Sequence, residues 1–411
     1  MASGAAAEPR LLSYDDARAR VLNAVRPLAP ERVPLGRALG RALREPVVAP
    51  HALPPFRNSS MDGFALRAGD AAAGARLRVI ETIAAGQAPA RALAPGDAAR
   101  IMTGAILPAG ADAVAPFEEC ASEAGEARPA RAFRPGENVR EAGADLAAGA
   151  IALEPGRALS AYDLALLAAL GIPEVAVGPA PRVSIVSTGD ELLEPTEPLR
   201  PGAIRDSNRL QLALRVAAAG GELVRAVRVG DRPQAVADAI RAALADSDAV
   251  LTIGGVSAGD FDPVKQSLGA LGDVELWRVA MKPGRPQAFG TPGGRVFYGL
   301  PGNPASVACV FEVLAAPALR KLQGHSALDL PRVHVRAAER IESRAGRTDF
   351  VRVTLEARDR VWHARPAGAQ VSGHLVPQAR AHALLIVPAA DAALPEGADA
   401  DALILRWPDA A

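Results

Sequence analysis

The chain has 411 residues with 46 basic and 46 acidic side chains, so its formal net charge is zero. This length predicts two to four domains, and the balanced charge argues against a nucleic-acid-binding surface or a polybasic membrane anchor. Two cysteines, Cys120 and Cys309, are too few for a disulfide framework or metal cluster, which predicts a reducing compartment. The N-terminus lacks the basic and apolar regions of a signal peptide, and the most apolar segment, residues 164–172, is too short to span a bilayer. We therefore expect a soluble, cytoplasmic protein.

The sequence of the N-terminal half predicts helical segments on either side of a β-rich region. Residues 13–28 form a predicted helix, with Ser13 as its N-cap. Residues 31–50 are predicted to hold a short helix between prolines, and residues 159–170 a further helix. Short apolar runs separated by Gly, Pro and Asp turns predict a small β-rich domain, with strands at 77–83, 98–102 and 113–116.

From residue 183 onward, apolar runs alternate with amphipathic segments, which predicts an α/β domain with a mainly parallel sheet. The predicted strands are 183–187, 222–229, 249–253, 274–279, 287–289 and 295–298. The predicted helices are 207–219, 233–245, 263–271 and 305–322. Short strands at 332–337, 350–355, 383–387 and 402–405 then predict a C-terminal β-domain.

The segment with the most chemistry lies at the end of the apolar run 249–253, which has the pattern of a buried parallel strand. Gly254 ends this run, and Ser257, Asp260 and Asp262 follow it. Ligands of open α/β sheets bind outside the carboxyl ends of the strands. The sequence therefore places a hydroxyl and two carboxylates at a predicted ligand-binding edge.

Two other predicted strands are followed by carboxylates, Glu191 and Asp231, and a cationic turn contains Lys282 and Arg285. Lys282 is one of only three lysines in the chain, which marks a position suited to a compact point charge. Carboxylates beside cations favour a phosphorylated or oxyanionic ligand with a divalent metal. The alternative is that Glu191 and Asp231 only stabilise the starts of helices.

A serine hydrolase is a second interpretation, because residues 255–259 match the G-x-S-x-G nucleophile elbow after a strand. A histidine partner could come from His325, His363, His374 or His382. No oxyanion-hole signature accompanies the motif, and the neighbouring acids and cations suit phosphate and metal better. The histidines show no zinc-ligand spacing, so none is assigned to a metal.

Taken together, six segments resemble the signature set of the molybdopterin molybdenumtransferase family, which includes MoeA and the gephyrin E domain. They are NSSMDGFA (58–65), MTGA (102–105), STGDEL (187–192), GGVSAGDFD (254–262), MKPGRP (281–286) and GLPGNPAS (299–306). Two C-terminal segments, GRTDFVR (346–352) and QVS (370–372), resemble the arginine and serine segments of that family.

The resemblance implies four domains. Residues 10–50 and 146–181 correspond to an elongated linker domain, whose N-terminal helix is able to pack on the α/β domain. Residues 51–145 correspond to an inserted β-rich domain, 182–328 to a molybdopterin-binding α/β domain, and 329–411 to a C-terminal β-barrel.

The resemblance also implies an activity, insertion of molybdate into adenylylated molybdopterin with Mg²⁺-dependent release of AMP. It implies a homodimer with each active site completed across the interface. Molybdopterin adenylyltransferase and apo-molybdoenzymes would be transient partners. Two alternatives stay open: a molybdopterin adenylyltransferase, which has a similar α/β domain, and a non-catalytic, gephyrin-like scaffold.

Functional residues carry over only where this sequence matches the family's motifs. The implied catalytic residues are Asp62, Thr103, Glu191, Asp231, Asp262 and Lys282, and the implied metal ligands are Glu191, Asp262 and Asp145. The implied substrate- and molybdate-binding residues are Gly254, Gly255, Ser257, Arg278, Arg285, Pro286, Pro301, Pro304, Arg347, Arg352 and Ser372. Arg278 and Arg285 depart from the family, where lysine is common, and the sequence does not decide which of Arg347 and Arg352 faces the oxyanion.

Overall fold

The computed structural model describes residues 10–256 and 272–408, which fall into two compact units. The smaller unit consists of Glu45–Pro155 and Ala161–Pro173, and the larger unit of the remaining residues. Ser257, Asp260, Asp262 and the predicted helix 263–271 lie outside the described residues. No helix among the described residues is long and apolar enough to cross a bilayer.

The strands, in chain order, are β1 (Arg10–Ser13), β2 (Glu31–Pro34), β3 (Val47–Val48), β4 (Asn58–Ser59), β5 (Gly63–Leu66), β6 (Leu77–Ile83), β7 (Asp97–Ile101), β8 (Ala113–Pro116), β9 (Cys120–Glu123), β10 (Glu126–Pro129), β11 (Val139–Arg140), β12 (Ile151–Leu153), β13 (Glu174–Val177), β14 (Arg182–Thr188), β15 (Leu192–Leu193), β16 (Ile204–Arg205), β17 (Glu222–Val229), β18 (Ala249–Ile253), β19 (Val274–Lys282), β20 (Pro286–Gly290), β21 (Val296–Leu300), β22 (Arg332–Ala337), β23 (Ile341–Glu342), β24 (Thr348–Arg358), β25 (Val361–Pro366), β26 (Ala383–Val387), β27 (Ala393–Leu394) and β28 (Asp399–Ile404). The helices are α1 (Tyr14–Ala24), α2 (Ala161–Ala169), α3 (Ser207–Ala218), α4 (Pro233–Asp246), α5 (Pro304–Val310), α6 (Ala316–Gln323) and α7 (Val376–Arg380).

Four parallel strands in the order β17-β14-β18-β21 form the centre of the larger unit. All five residues of β18 are buried, which explains its continuous apolar run. Successive side chains point to opposite faces: Leu251 packs in one cluster with Leu212 of α3, and Val250 in another with Val236 of α4. Helices therefore cover both faces of this sheet.

The parallel register places the carboxyl ends of these four strands at one edge. Thr188 pairs with Val229, and Ile253 pairs with Leu300 in the neighbouring strand. The connections that follow the strands begin at residues 189, 230, 254 and 301, so they start side by side. Strands β20 and β19 extend the sheet in antiparallel fashion beyond β21.

The C-terminal strands close a five-stranded barrel, in agreement with the predicted β-barrel. The order is β24-β25-β22-β28-β26, and β26 pairs back onto β24. Strand β19 also pairs with β24, since Met281 lies opposite Thr348 and Lys282 opposite Asp349. The cationic turn after β19 is therefore fixed beside the start of β24.

Several predicted helix boundaries were wrong, and prolines explain two of them. Residues 31–50 form β2, a single 3₁₀ turn (Leu35–Arg37) and β3 instead of a short helix. Helix α1 is capped by Ser13 as predicted but ends at Ala24, ahead of Pro27. The predicted helix 305–322 contains a π-helical turn at Phe311–Ala315, because Pro317 has no N–H to donate to the Val313 carbonyl four residues earlier.

The smaller unit is β-rich, as predicted, with a six-stranded sheet in the order β8-β5-β7-β6-β10-β9. Strands β6 and β8 have the predicted limits. Gly63 begins β5, and a Cβ at this position would lie 2.1 Å from the Ala115 carbonyl oxygen of β8. The close approach of two backbones explains the glycine in the Met-Asp-Gly motif.

We expect Gly63→Ala to destabilise the smaller unit by about 1–3 kcal/mol, because paired strand backbones have little room to separate. Gly69→Ala is the matched control, since a Cβ there meets nothing within 4 Å. Thermal unfolding of both variants measures the difference, and equal midpoints would contradict the close contact.

Candidate functional site

A cavity of about 1040 Å³ lies at the carboxyl edge of the parallel strands. We call it the carboxylate cavity, because Glu191, Asp206 and Asp231 line it. The predicted residues Gly254, Gly255 and Pro304 also line it. Five predicted site residues from four separate segments are thus brought together, as expected for strand-end loops of a parallel sheet.

The loops carrying Glu191 and Asp231 are joined by a reciprocal pair of hydrogen bonds. The Asp190 N–H donates to Oδ2 of Asp231 at 3.2 Å, and the Asp231 N–H donates to Oδ1 of Asp190 at 3.3 Å. Gly230 leaves room for this arrangement, because a Cβ there would lie 2.5 Å from Oδ1 of Asp190. Asp190 is therefore a support for the cavity that the sequence interpretation did not single out.

The helix-stabilising alternative is wrong for both predicted acids. Arg232, not Asp231, is the N-cap residue of α4, and no side chain caps that helix. Glu191 is followed by β15 rather than by a helix. Its exposed carboxylate forms no hydrogen bond or ion pair with any other described residue.

Asp206 is a buried member of the cavity wall that sequence reasoning missed. It caps α3 by accepting the backbone N–H of Arg209 at 3.0 Å, and it accepts the Ser187 hydroxyl at 2.6 Å. Asn208 then donates to the Gly302 carbonyl at 2.7 Å, which joins α3 to the loop after β21. The available signal was an aspartate, Asp206, directly before the predicted helix 207–219.

A second cavity, of about 600 Å³, is lined by basic residues. We call it the cation cavity and define it by Lys282, Arg285, Arg344, Arg347 and Ser372. The predicted residue Pro286 lines it as well. No carboxylate is among its lining residues in the described part of the chain.

Three of the four cations in this cavity have no carboxylate partner among the described residues. Within residues 10–256 and 272–408, Lys282, Arg285 and Arg344 form no ion pair, and all three are exposed. Arg347 forms a bidentate pair with Asp349, with N–O distances of 2.8 and 3.1 Å. Unpaired cations around a cavity without acids produce a local positive potential suited to an anion.

Unlike the cations of this cavity, Arg352 has a buried side chain, and its hydrogen bonds hold a loop in place. Its guanidinium donates to the carbonyl oxygens of His374 at 3.0 Å, Val371 at 3.1 Å and Ala369 at 3.3 Å. Burial lowers the pKa of this guanidinium. Arg352 borders a smaller cavity of about 270 Å³ and does not line the cation cavity. Its main contact is with the loop that carries Ser372.

The two cavities meet at Asn303, which lines both. The loop held by Arg352 also borders both, since Ser372 lines the cation cavity and Gly373 the carboxylate cavity. The Ala305 N–H donates to the Ser372 carbonyl at 3.0 Å, which fixes this loop at the start of α5. The cavities thus form one site with an acidic part and a basic part.

Several predicted residues of the larger unit lie elsewhere. Arg278 is exposed in β19, Pro301 is buried, and neither is among the described residues that line the carboxylate cavity or the cation cavity. Ser257 and Asp262 lie outside the described residues. Among the described residues, no group of three or more His, Cys, Asp or Glu side chains is placed to hold a metal ion.

The three predicted residues of the smaller unit are all exposed. Asp62 and Thr103 are in direct contact, because Oδ1 of Asp62 accepts the Thr103 backbone N–H at 2.7 Å and the Thr103 hydroxyl at 2.8 Å. These two hydrogen bonds lower the pKa of Asp62, the backbone bond having the larger effect. Asp145 lies in a turn where its N–H donates to the Leu53 carbonyl at 3.0 Å.

Three family models match the chain in succession. They are described as the MoeA N-terminal region (domain I and II), at residues 12–171, a probable molybdopterin binding domain, at 184–321, and the MoeA C-terminal region (domain IV), at 334–405.

Relatives and solved structures agree with these matches. A molybdopterin molybdenumtransferase of Nostoc sp. is 38% identical over 389 residues, covering 92% of this chain and 89% of the relative. Molybdopterin molybdenumtransferase 2 of Mycobacterium tuberculosis is 38% identical, covering 90% and 93%. The crystal structure of the molybdopterin biosynthesis MoeA protein of Pyrococcus horikoshii OT3 superposes with a TM-score of 0.83 at 28% identity, covering 96% of this chain and 100% of that one. The chain therefore belongs to the molybdopterin molybdenumtransferase, or MoeA, family.

Proposed function

We propose that the protein is a molybdopterin molybdenumtransferase that inserts molybdate into adenylylated molybdopterin and releases AMP in an Mg²⁺-dependent reaction. Family membership supports the reaction class. The observation that carries the proposal is the pair of adjoining cavities, one acidic and one basic, that meet at Asn303. The reaction needs such a division of charge. Positive side chains stabilise an oxyanion, whereas carboxylates bind the metal ion that accompanies a phosphoanhydride.

The cation cavity is the proposed molybdate site. Molybdate is a tetrahedral dianion, and Lys282 and Arg285 offer charged donors that no described carboxylate neutralises. Ser372 adds a hydroxyl donor at the same cavity. Of the two arginines left open by the sequence, we assign Arg347 to the oxyanion, because the Arg352 guanidinium is occupied by loop carbonyls.

Arg347 is held ready by its pair with Asp349. The two N–O contacts of 2.8 and 3.1 Å orient the guanidinium while leaving further N–H groups for a ligand. Asp349 itself is buried and does not line the cation cavity. It can therefore orient Arg347 without placing a negative charge against the oxyanion.

The carboxylate cavity is the proposed site for Mg²⁺ and the phosphoanhydride. Glu191 and Asp231 present carboxylate oxygens, the ligands Mg²⁺ prefers, and the cavity has room for the waters that Mg²⁺ retains. Two side chains are a partial ligand set, and Asp262 and Asp145 complete it in the proposal by family resemblance. Bound Mg²⁺ would polarise the phosphoanhydride and stabilise the leaving phosphate. Glu191, whose carboxylate is free among the described residues, is the proposed group for orienting water.

The resemblance extends the proposal to a homodimer in which Asp62, Thr103 and Asp145 complete the active site of the other subunit. The two hydrogen bonds from Thr103 lower the pKa of Asp62, so this carboxylate stays ionised to a lower pH than an ordinary aspartate, which suits a group that orients a metal ligand or substrate. Molybdopterin adenylyltransferase and apo-molybdoenzymes are the proposed transient partners, and the cytoplasm is the proposed location.

The central test is AMP release from the purified protein with adenylylated molybdopterin and Mg²⁺, with and without molybdate. We expect release that depends on molybdate, with a product that reconstitutes an apo-molybdoenzyme. Formation of the adenylate from ATP and molybdopterin would instead identify an adenylyltransferase. Tight binding of the adenylate without turnover would identify a scaffold.

Arg347→Ala and Arg352→Ala should fail in different ways. Arg347→Ala should weaken molybdate affinity about tenfold or more, because one charged donor is lost from the cavity. It should also lower the melting temperature, because the buried Asp349 carboxylate loses its partner. Arg352→Ala should lower stability by roughly 3 kcal/mol, since the loop that carries Ser372 loses the buried guanidinium that donates to three of its carbonyls. Calorimetric titration with molybdate separates the two variants, and thermal unfolding measures the loss of stability in each. A larger loss of molybdate affinity in Arg352→Ala than in Arg347→Ala would exchange the two assignments.

Thr103→Val should raise the pKa of Asp62 part of the way toward its ordinary value. The hydroxyl donor is lost, but the backbone N–H that has the larger effect remains. As pH falls, any step that needs ionised Asp62 should therefore fail at a higher pH in Thr103→Val than in the unsubstituted protein. NMR titration of the Asp62 carboxyl measures the shift, and Thr103→Ser, which keeps a hydroxyl, is the control. An unchanged pKa in Thr103→Val would show that the hydroxyl does not contribute.

A further inference from the structure

We propose that Gln287 is a positioning residue that sets the oxyanion affinity of the cation cavity by fixing the backbone between Lys282 and Arg285. The inference rests on the proposed function of this cavity as the oxyanion site. Gln287 does not line the cavity, so any effect it has on binding must pass through the turn that carries the two cations.

Gln287 lies in β20 and is fully buried. Its Nε2 donates to the Gly284 carbonyl at 2.6 Å and approaches the Met281 sulfur at 3.2 Å. Its Oε1 accepts the Tyr298 hydroxyl at 2.6 Å. Both ends of the amide are therefore satisfied, and one of them is attached to the backbone of the cationic turn.

Only one orientation of this amide satisfies its neighbours. The Gly284 carbonyl can only accept, so Nε2 of Gln287 must face it, and Oε1 must then face Tyr298. The Tyr298 hydroxyl can donate to that oxygen at all ordinary pH values, because burial raises its pKa well above the usual value. Tyr298 thus fixes the Gln287 amide, and the amide fixes Gly284.

Backbone pairing holds the ends of the turn, since Lys282 lies opposite Asp349 of β24, and packing and the Gln287 bond hold its middle. Gly284 has φ +105°, and a Cβ there would lie 2.3 Å from Cγ2 of Val310, so the turn lies against α5. The Arg285 carbonyl accepts the Val279 N–H at 2.8 Å. The Gln287 bond is the side-chain contact that lies between the two exposed cations. Holding charged groups in place before the ligand arrives reduces the ordering cost of binding.

The chain contains a matched control in Gln323. This glutamine is also buried, and its Nε2 donates to the carbonyls of Ala219 at 2.8 Å and Leu319 at 3.1 Å. Neither acceptor lines the cation cavity. Gln323→Leu therefore makes the same chemical change at a similar burial, away from the proposed anion site.

The test is calorimetric titration of the full chain with molybdate, using the unsubstituted protein, Gln287→Leu and Gln323→Leu. We expect Gln287→Leu to weaken molybdate affinity about tenfold and Gln323→Leu to leave it within about twofold, although both lower the melting temperature. Tyr298→Phe, which keeps the bond to Gly284 and removes only the hydroxyl, should give an intermediate loss. If Gln287→Leu does not fold, Tyr298→Phe still tests the chain of hydrogen bonds from Tyr298 through Gln287 to Gly284.

In the turnover assay, Gln287→Leu should raise the KM for molybdate and leave the KM for adenylylated molybdopterin unchanged. Molybdate affinity in Gln287→Leu equal to that of the unsubstituted protein, or unchanged affinity in Tyr298→Phe when Gln287→Leu does not fold, would overturn the positioning role. An equal loss in Gln323→Leu would also overturn it, by showing that general destabilisation is the cause. If the unsubstituted protein binds no molybdate, the proposed function itself fails, and the inference fails with it.

Discussion

The parallel register of β17, β14, β18 and β21 is the constraint on which the site depends. Because Thr188, Val229, Ile253 and Leu300 end their strands at one edge, the connections after them start within reach of one another. Each of these connections then needs only a short polar segment to contribute to a common cavity. Burial of β18 on both faces holds the centre of this edge in place, since Leu251 packs in one apolar cluster and Val250 in another.

Charge is separated within this site, and the separation has a physical consequence. Lys282, Arg285 and Arg344 line a cavity without an acid among the described residues, while Glu191 and Asp231 line the neighbouring one. Pairing these groups with each other would weaken both as ligand-binding groups. Keeping them exposed avoids the desolvation cost of unpaired buried charge, so the protein can hold them without a ligand.

The sequence was sufficient for the elements whose pattern is local. The alternation of apolar runs predicted the central strands, and carboxylates after strand ends predicted Glu191 and Asp231 at one cavity. The sequence could not decide which of Arg347 and Arg352 faces the oxyanion. That decision depends on the loop at residues 369–374, which is distant from Arg352 in the sequence and contacts it in the folded barrel. Asp206 was missed because its local sequence indicates only a helix N-cap and does not show that the same residue also lines a cavity. The π-helical turn was missed because Pro317 lies inside an otherwise regular helical pattern.

Two supports of the site, Arg352 and Gln287, are buried, whereas most of the groups proposed to meet the ligand are exposed: Lys282, Arg285, Glu191 and Asp231. Arg352 and Gln287 both use buried side chains to bind backbone carbonyls of segments that carry functional groups. The Gly284 carbonyl is buried, and a buried carbonyl without a donor costs about 1–3 kcal/mol, so the bond from Gln287 holds this turn in the folded protein. Lys and Arg side chains at the surface then need to order only their own rotamers on binding, since the backbone beneath them is already fixed. The positions of the functional segments are therefore set by hydrogen bonds from buried side chains, and the charge of the site is supplied by the side chains that line the cavities.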